Sequence, residues 1–201
     1  MLHIRIYNWL IAKGFSFVFA RTFNSFGINT RVISPIAIEG SANISLGDNV
    51  IVAAHSCLAA VPLSGSKSCQ LKINDGCRIG RFNHIYATKS IVLGNDVLTA
   101  NNVYISDNSH NYDNPCLPVV QQPILQKDTV VIGDGSWLGQ NACVIGAKIG
   151  RHCIVGANSV VTNNLPDFSV AIGAPARIIK RYDEQKNVWR ATNPDGSFLG
   201  F

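Results

Sequence analysis

Between about residues 32 and 175, aliphatic side chains recur at every sixth position, and many of them are followed by glycine. One clear run comprises Ile132, Leu138 and Val144. A six-residue period fits neither an α-helix, with its 3.6 residues per turn, nor a strand that alternates every two residues. It is typical of a triangular coil of parallel strands, in which one hexad forms each face and the aliphatic side chain points inward. The pattern therefore predicts an all-β solenoid, a parallel β-helix.

Two segments interrupt this repeat. Residues 61–70 (VPLSGSKSCQ) form the shorter one, and residues 108–128 form the longer one. The longer segment contains Pro115, Pro118 and Pro123, which cannot donate to a strand ladder. A long loop on a rigid scaffold is a common place for functional residues, so we expect residues 108–128 to project from the solenoid and carry part of a site.

The start of the chain follows another pattern. Apolar residues within residues 2–25 are often three or four positions apart, which predicts an amphipathic helix. This helix would either pack on the rest of the protein or make a peripheral membrane contact. We therefore expect residues 1–31 to form a helix and linker, residues 32–175 the solenoid, and residues 176–201 a short C-terminal tail.

Composition restricts the class of protein. The 201 residues suit one domain, and 47% of them are apolar while only 14% are charged, which excludes a disordered chain. The net charge of +5 is scattered, without the interleaved basic and aromatic stripe of a nucleic-acid-binding surface. No signal peptide and no run of about 20 apolar residues is evident, so we expect a cytoplasmic protein, at the inner face of the membrane if the N-terminal helix binds there.

The chemistry-bearing residues give few candidates. The six cysteines contain no C-x-x-C pair and no zinc-like spacing to histidine, so we expect reduced thiols and no metal site. Of the five histidines, His110 stands where the repeat gives way to the long loop. A positioned imidazole can remove the proton of an attacking hydroxyl, and acyl transfer needs in addition only a donor for the oxyanion. His110 is therefore the candidate general base.

Two stretches carry a family resemblance. LGNDVLTANNVYISDNSHNYD, which includes His110, and VVIGDGSWLGQNACVIGAKIGRHCIVGANSVVTNNLPDFSVAIGAPARIIKRY resemble the hexapeptide-repeat acetyltransferases, in particular the sugar and surface-polysaccharide O-acetyltransferases. The resemblance implies a left-handed β-helix, a homotrimer, and acetyl-CoA as co-substrate without a metal. It also implies that His110 is the general base, with Asp107 or Asp113 orienting its ring; both acidic residues remain open candidates.

The resemblance further implies that acetyl-CoA lies between two subunits, along the C-terminal coils. Trp137 matches the position that packs near the pantetheine arm, or it is a rim aromatic of the trimer contact. The backbone N–H near Gln140 matches the oxyanion donor. The remaining implied cofactor positions are Ala157, Asn163, Ala174, Arg177 and Lys180. Asn163 is a departure, because many relatives have lysine there, and the two basic residues are alternatively part of a solvated tail.

For the acceptor, Asn83 and the neighbouring His84 are the implied contacts. The main hypothesis is acetyl transfer to a sugar hydroxyl of a capsule, O-antigen or exopolysaccharide unit, for which a lipid-linked sugar would suit the apolar N-terminal segment. Alternative acceptors are serine, an antibiotic or the amine of a nucleotide sugar. A γ-type carbonic anhydrase or a non-catalytic scaffold would share the fold. The former resembles this chain in its coils but requires histidines closer together than any here.

Overall fold

The computed structural model describes residues 14–15 and 18–200. Three parallel sheets wind around one axis, so the predicted β-helix is confirmed. The predicted helix over residues 2–25 falls mostly outside the described residues. Of its described part, residues 14–15 and 18–19 are helical, and Ala20–Thr22 is a short 3-10 turn.

Each sheet forms one face of a triangular prism. Face 1 contains β1 (Ser25–Phe26), β4 (Ile44–Leu46), β7 (Gln70–Ile73), β10 (Ser90–Leu93), β15 (Val130–Ile132) and β18 (Lys148–Ile149). Face 2 contains β2 (Arg31–Val32), β5 (Ile51–Val52), β8 (Arg78–Ile79), β11 (Leu98–Thr99), β16 (Trp137–Leu138), β19 (Ile154–Val155), β21 (Ser169–Ile172), β22 (Arg177–Asp183) and β23 (Val188–Ala191). Face 3 contains β3 (Ala37–Glu39), β6 (Cys57–Ala60), β9 (His84–Ala87), β12 (Tyr104–Ser106), β17 (Cys143–Ile145) and β20 (Val160–Val161).

The aliphatic residue of each hexad points into the prism. Leu93 pairs with Ile132, and Ile132 pairs with Ile149, so that each side chain stacks on its counterpart about 4.8 Å away along the axis. These residues are at most 1% exposed. Burying an aliphatic side chain this completely stabilises the fold by about 1.5–3 kcal/mol. The repeated hexad is therefore the core itself.

The three prism edges differ in chemistry. On the edge between faces 1 and 2, which we call the aspartate edge, carboxylates accept hydrogen bonds from backbone N–H groups of the preceding coil. Asp48 accepts from Ile28, and Asp167 from Arg151, at 2.7 and 2.9 Å. Asp75 and Asp134 act in the same way. These bonds satisfy corner amides that the parallel ladders leave open.

The edge between faces 3 and 1 is the loop edge, because both predicted excursions leave from it. Residues 108–128 form an antiparallel pair, β13 (Asn108–His110) with β14 (Ile124–Gln126), and a 3-10 turn at Val119–Gln121. The Gln126 side chain accepts a hydrogen bond from Ser64, in the shorter excursion, and its NH₂ group donates to the carbonyl of Asp107 at 2.6 Å. The two excursions are thereby joined to each other and to the coil.

Two predicted boundaries differ in the structure. Parallel pairing begins with β1 at Ser25, ahead of residue 32, because Ser25–Phe26 already pairs with β4. The expected tail after residue 175 instead forms β22 and β23, an antiparallel hairpin that extends face 2 beyond β21. Within the described residues, no helix has the length and apolar character needed to cross a membrane.

Candidate functional site

The edge between faces 2 and 3 carries backbone amides that lack a partner, and we call it the amide edge. Gln140, Ala157 and Ala174 lie on it at successive coils and are all exposed. The N–H groups of Gln140 and Ala157 donate to no acceptor within residues 14–15 and 18–200. By contrast, the corner N–H of Arg81, higher on the same edge, donates to Asn101 Oδ1 at 2.9 Å. Open corner donors therefore occur along the amide edge, since the N–H groups of Ala54 and Asn101 on the upper coils also donate to no acceptor within the described residues, and the Arg81 N–H is a capped exception.

The corner at Gln140 is a tight turn. The N–H of Ala142 donates to the carbonyl of Gly139 at 3.1 Å, and Asn141 has a φ of +59°. A four-residue turn with positive φ at its third residue is the type II arrangement. Gly139 is required because a Cβ there would lie 2.7 Å from the N of Ala157. Close stacking of the coils thus fixes the direction of the open Gln140 N–H.

An apolar row runs beside this edge on the outer surface of face 2. Leu98 pairs with Trp137, Trp137 with Ile154, and Ile154 with Val170. Lys180 pairs with Val170 and ends the row with a positive charge. Trp137 is 44% exposed and Leu98 46%, so the row offers an apolar surface to a ligand or to another chain. An extended molecule with an apolar arm and an anionic end would match it.

Two more of the expected cofactor residues are brought together at the bottom of the prism. Asn163 and Arg177 line one pocket of 390 Å³, together with Asp195 of the C-terminal segment. The carboxylate of Asp195 is engaged by the N–H and hydroxyl of Ser197, and these bonds hold its pKa below the ordinary value. The pocket therefore offers one guanidinium and the Asn163 amide for an anion, with a nearby carboxylate already hydrogen-bonded.

His110 lies at the opposite end of face 3 from the amide edge. It is exposed at the end of β13, where it pairs with Ile124, and its imidazole makes no hydrogen bond within the described part of the chain. From Asn102, on the amide edge, to Asp107, at the loop edge, the chain advances roughly 16 Å at about 3.3 Å per residue. Within one chain the imidazole and the open amides are therefore held apart.

Neither acidic candidate contacts the His110 ring. The Asp107 carboxylate is buried and accepts from the N–H groups of Thr88, Lys89 and Ser90 at 2.7–2.8 Å, and from the Thr88 hydroxyl at 2.9 Å. It therefore clamps the loop edge just before His110. Asp113 is exposed, and only its N–H is hydrogen-bonded, to Asn111 Oδ1. The expectation that Asp107 orients the ring is wrong for this structure, because its lone pairs are already occupied.

The two residues expected to contact the acceptor substrate differ in burial. Asn83 is 1% exposed, and its amide donates to the carbonyls of Arg81 and Ala100, so it is a buried corner residue and not an acceptor contact. His84 is exposed on face 3, where its ring lies edge-on to Tyr86 and Tyr104 at 6.0 and 5.6 Å. His84 remains a surface residue that a ligand can reach.

The thiols offer no nucleophile within the prism. Burial raises the pKa of Cys77 and of Cys69 to about 11 and also raises that of Cys153. A protonated thiol is a poor nucleophile and metal ligand. Within residues 14–15 and 18–200, no three His, Cys, Asp or Glu side chains converge as metal ligands would.

The structure is thus a β-helix with open backbone donors on one edge and an exposed loop imidazole on another, and comparison with known proteins identifies its class. A family model described as the hexapeptide repeat of succinyl-transferase matches residues 129–163. The chain is 31% identical over 170 residues to WbbJ of Escherichia coli K12, named as a lipopolysaccharide biosynthesis O-acetyl transferase, and the match covers 80% of this chain and 84% of WbbJ. The chain belongs to the hexapeptide-repeat acetyltransferase family, and it is an acyltransferase with a left-handed β-helix.

Solved structures share this fold. AntD of Bacillus cereus, an N-acyltransferase solved with dTDP and 3-hydroxybutyryl-CoA, has a TM-score of 0.71 at 18% identity, over 85% of this chain and 89% of that one. PerB of Caulobacter crescentus, solved with CoA and GDP-perosamine, has a TM-score of 0.55 at 25% identity, over 77% of this chain and 58% of that one. AntD supports the fold alone, since its identity to this chain is low.

Sequence reasoning missed the neighbours of Trp137. Leu98, Ile154 and Val170 each precede an inward residue, Thr99, Val155 and Ala171, just as Trp137 precedes Leu138. That position always faces outward, so a row of apolar residues at it was visible in the hexads. The clamp by Asp107 left no such signal, because its partners are backbone groups almost 20 residues away.

Proposed function

We propose that this protein transfers the acetyl group of acetyl-CoA to a hydroxyl of a sugar, within a bacterial surface polysaccharide unit. The observation that carries the proposal is the open N–H of Gln140, fixed on the amide edge beside the Trp137 row. The apolar row suits a pantetheine arm. Lys180, Arg177 and Asn163 lie toward the end where the phosphates of coenzyme A would extend.

The Gln140 N–H serves as the oxyanion donor. When a hydroxyl oxygen attacks the thioester carbonyl, the carbonyl oxygen gains negative charge, and a fixed donor lowers the energy of that state. The neighbouring Ala157 N–H is also open, and Ala174 exposes backbone on the next coil. These groups offer hydrogen bonds to the amides of the pantetheine arm.

His110 removes the proton from the attacking hydroxyl and later returns it to the thiolate of coenzyme A. Since His110 and Gln140 lie at opposite ends of face 3, the complete site requires His110 from one protomer and the amide edge of its partner. A homotrimer with three such sites satisfies this geometry, since each heterologous contact repeats around a threefold axis. Asp113 lies on the same loop as His110 and is the acidic residue left to orient its ring once the trimer has formed.

The experiment is a comparison of wild-type protein with His110→Ala. Acetyl-CoA raises the melting temperature of both proteins, because the variant retains the amide edge. Transfer to sugar acceptors falls about 10²- to 10⁴-fold in the variant. His152→Ala is the matched control, since His152 is also an exposed histidine but lies on the aspartate edge, away from His110 and Gln140. A variant His110→Ala with wild-type turnover contradicts the assignment.

Mixing two inactive variants tests the shared site. His110→Ala supplies intact amides, and Gln140→Pro supplies an intact imidazole while lacking the donor. Random 1:1 reassembly into trimers restores about one quarter of wild-type activity if each site draws on two protomers. If His110 and Gln140 acted within one chain, each mixed trimer would have no complete site and activity would stay absent.

The acceptor is assigned from the relatives. WbbJ is named for lipopolysaccharide biosynthesis, which favours a hydroxyl of a surface sugar. A second candidate reaction is acylation of the amine of a nucleotide sugar, which the PerB complex with CoA and GDP-perosamine favours. Acetyl-CoA consumption with each acceptor class distinguishes the two. Residues 2–25 would hold the enzyme at the inner face of the membrane beside a lipid-linked acceptor, which a vesicle-binding assay of the full chain checks.

A further inference from the structure

Two neighbouring corners of the amide edge hold aromatic rings at a left-handed backbone position, and for one of them, Phe82, that conformation is unfavourable. Each corner of this edge has a residue in the left-handed region, and in the lower coils it is asparagine: Asn102, Asn141 and Asn158. In the two coils above, the residues are His55, with φ +64°, and Phe82, with φ +57°. Asparagine and histidine adopt this region comparatively readily, whereas for a bulky residue such as Phe82 it costs roughly 1–2 kcal/mol more than the right-handed region.

Packing within the chain does not account for these rings. Phe82 is 52% exposed and His55 is exposed, so neither ring fills the core. The two rings stack on each other with centroids 5.1 Å apart, and no other ring or guanidinium of the described residues lies on them. The pair on the aspartate edge, His152 and Phe168, differs because Arg151 and Tyr182 contact Phe168. Backbone strain at an exposed ring suggests a role in binding.

The distance from Gln140 to the His55–Phe82 pair determines which part of a bound acceptor the pair can contact. Backbone hydrogen bonds join the corners in series, from Asn102 N–H to the Arg81 carbonyl and from Asn141 N–H to the Asn101 carbonyl. Phe82 is therefore two coils above the Gln140 corner, at about 10 Å for a spacing of about 4.8 Å. Acetyl-CoA would extend the other way, toward Ala157 and Ala174. The upper coils of the amide edge are thus left free to bind the acceptor.

Resting on the proposed function, we infer that His55 and Phe82 form a second sugar subsite, and that the acceptor is an oligosaccharide rather than a single sugar. The acetylated ring lies at the level of Asn101 and Asn102, and the adjoining ring stacks on Phe82. The C–H face of a pyranose suits the electron-rich face of Phe82 that points toward Asn102, and the His55 ring, stacked on the opposite face, supports Phe82 from behind.

A disaccharide matches this distance more directly than a nucleotide sugar does. In a nucleotide sugar the diphosphate would lie at the level of Phe82 and the base beyond it, where no other ring of the described residues lies on His55 or Phe82 to receive it. The Arg81 guanidinium, exposed beside Phe82, makes no hydrogen bond or ion pair within the described chain and can bond sugar hydroxyls. A two-ring acceptor fills the interval between Gln140 and Phe82 without a gap.

The test compares methyl glycosides of one and two sugars: methyl β-galactoside with methyl β-lactoside, and methyl α-glucoside with methyl α-maltoside. In wild-type protein at least one disaccharide has a lower KM than its single-sugar counterpart. Phe82→Asn, which installs the residue of the lower coils, raises that KM about 5- to 10-fold, as loss of one stacking contact predicts. The variant keeps its melting temperature, its oligomeric mass and its thermal shift with acetyl-CoA.

Phe168→Asn is the matched control, because it makes the same change in the same backbone conformation on the other edge; its acceptor KM stays at the wild-type value. Equal KM values for one and two sugars, an unchanged KM in Phe82→Asn, or transfer to none of the panel overturns the subsite. So does a better KM for a nucleotide sugar, or dissociation of Phe82→Asn, which would make the ring an oligomer contact. Failure of the proposed function is separate: acetyl-CoA then gives no thermal shift, or His110→Ala turns over normally.

Discussion

Asp107→Ala is expected to lower the free energy of unfolding by about 3 kcal/mol or more, because the change leaves buried backbone donors without an acceptor. The lost carboxylate accepts from Thr88, Lys89 and Ser90, and the bond to Thr88 N–H is fully buried. One unsatisfied buried donor costs about 1–3 kcal/mol, and water reaches the partly buried ones. For a chain of this size, 3 kcal/mol lowers the melting temperature by about 6–12 °C.

The assay is thermal unfolding followed by circular dichroism, with Asp113→Asn as the control. Asp113 is exposed and its carboxylate makes no hydrogen bond within the described chain, so its variant melts with the wild type. If Asp107 instead oriented the His110 ring, Asp107→Ala would reduce turnover while leaving stability intact. A variant that melts like the wild type refutes the clamp.

Three further changes follow from the structure. Gly139→Ala abolishes the thermal shift with acetyl-CoA and lowers stability by about 1–3 kcal/mol, because the new Cβ meets the Ala157 backbone; differential scanning fluorimetry with and without ligand measures both. At pH 8, the exposed Cys116 reacts with a disulfide reagent before Cys77, whose pKa burial raises to about 11; mass spectrometry of partly labelled protein gives the order. The Arg190 hydrogen bond holds the pKa of Asp183 below its ordinary value, so Asp183→Asn is less stable than wild type at pH 7, and acid titration shows the difference shrinking as the pH falls through the lowered pKa of Asp183.

The solenoid was predictable because the six-residue period alone determines which side chains point into the prism. Residues such as Ile132 and Leu138 repeat their position relative to the axis, so each hexad predicts its neighbour and stacking completes the core. The first and last strands of the solenoid were harder to predict from the sequence. Phe26, Val32 and Ile38 keep the six-residue step, but Phe26 is aromatic and was not counted among the aliphatic positions. The β22–β23 hairpin depends on antiparallel contacts that a six-residue period does not encode.

The site was predictable in part, and for different reasons. The resemblance implied Gln140, Ala157 and Ala174 as cofactor positions, and all three lie on successive corners of the amide edge, because corners recur once per hexad triplet. Asn83 and Asp107 were misassigned because their side chains are taken up by backbone partners in other coils, which only the winding brings near. His110 and Gln140 lie apart in one chain, and no sequence pattern reports which edge a loop leaves.

The most direct test of the account is the Gln140→Pro variant, compared with Gln140→Ala. Proline is common at this position of a type II turn, so the exchange removes the N–H while the coil is retained. Acetyl-transfer kcat is expected to fall about 10²- to 10³-fold in Gln140→Pro. Gln140→Ala retains the donor and transfers at the wild-type rate. Equal rates in the two variants, at the same melting temperature, would contradict the role of this backbone amide.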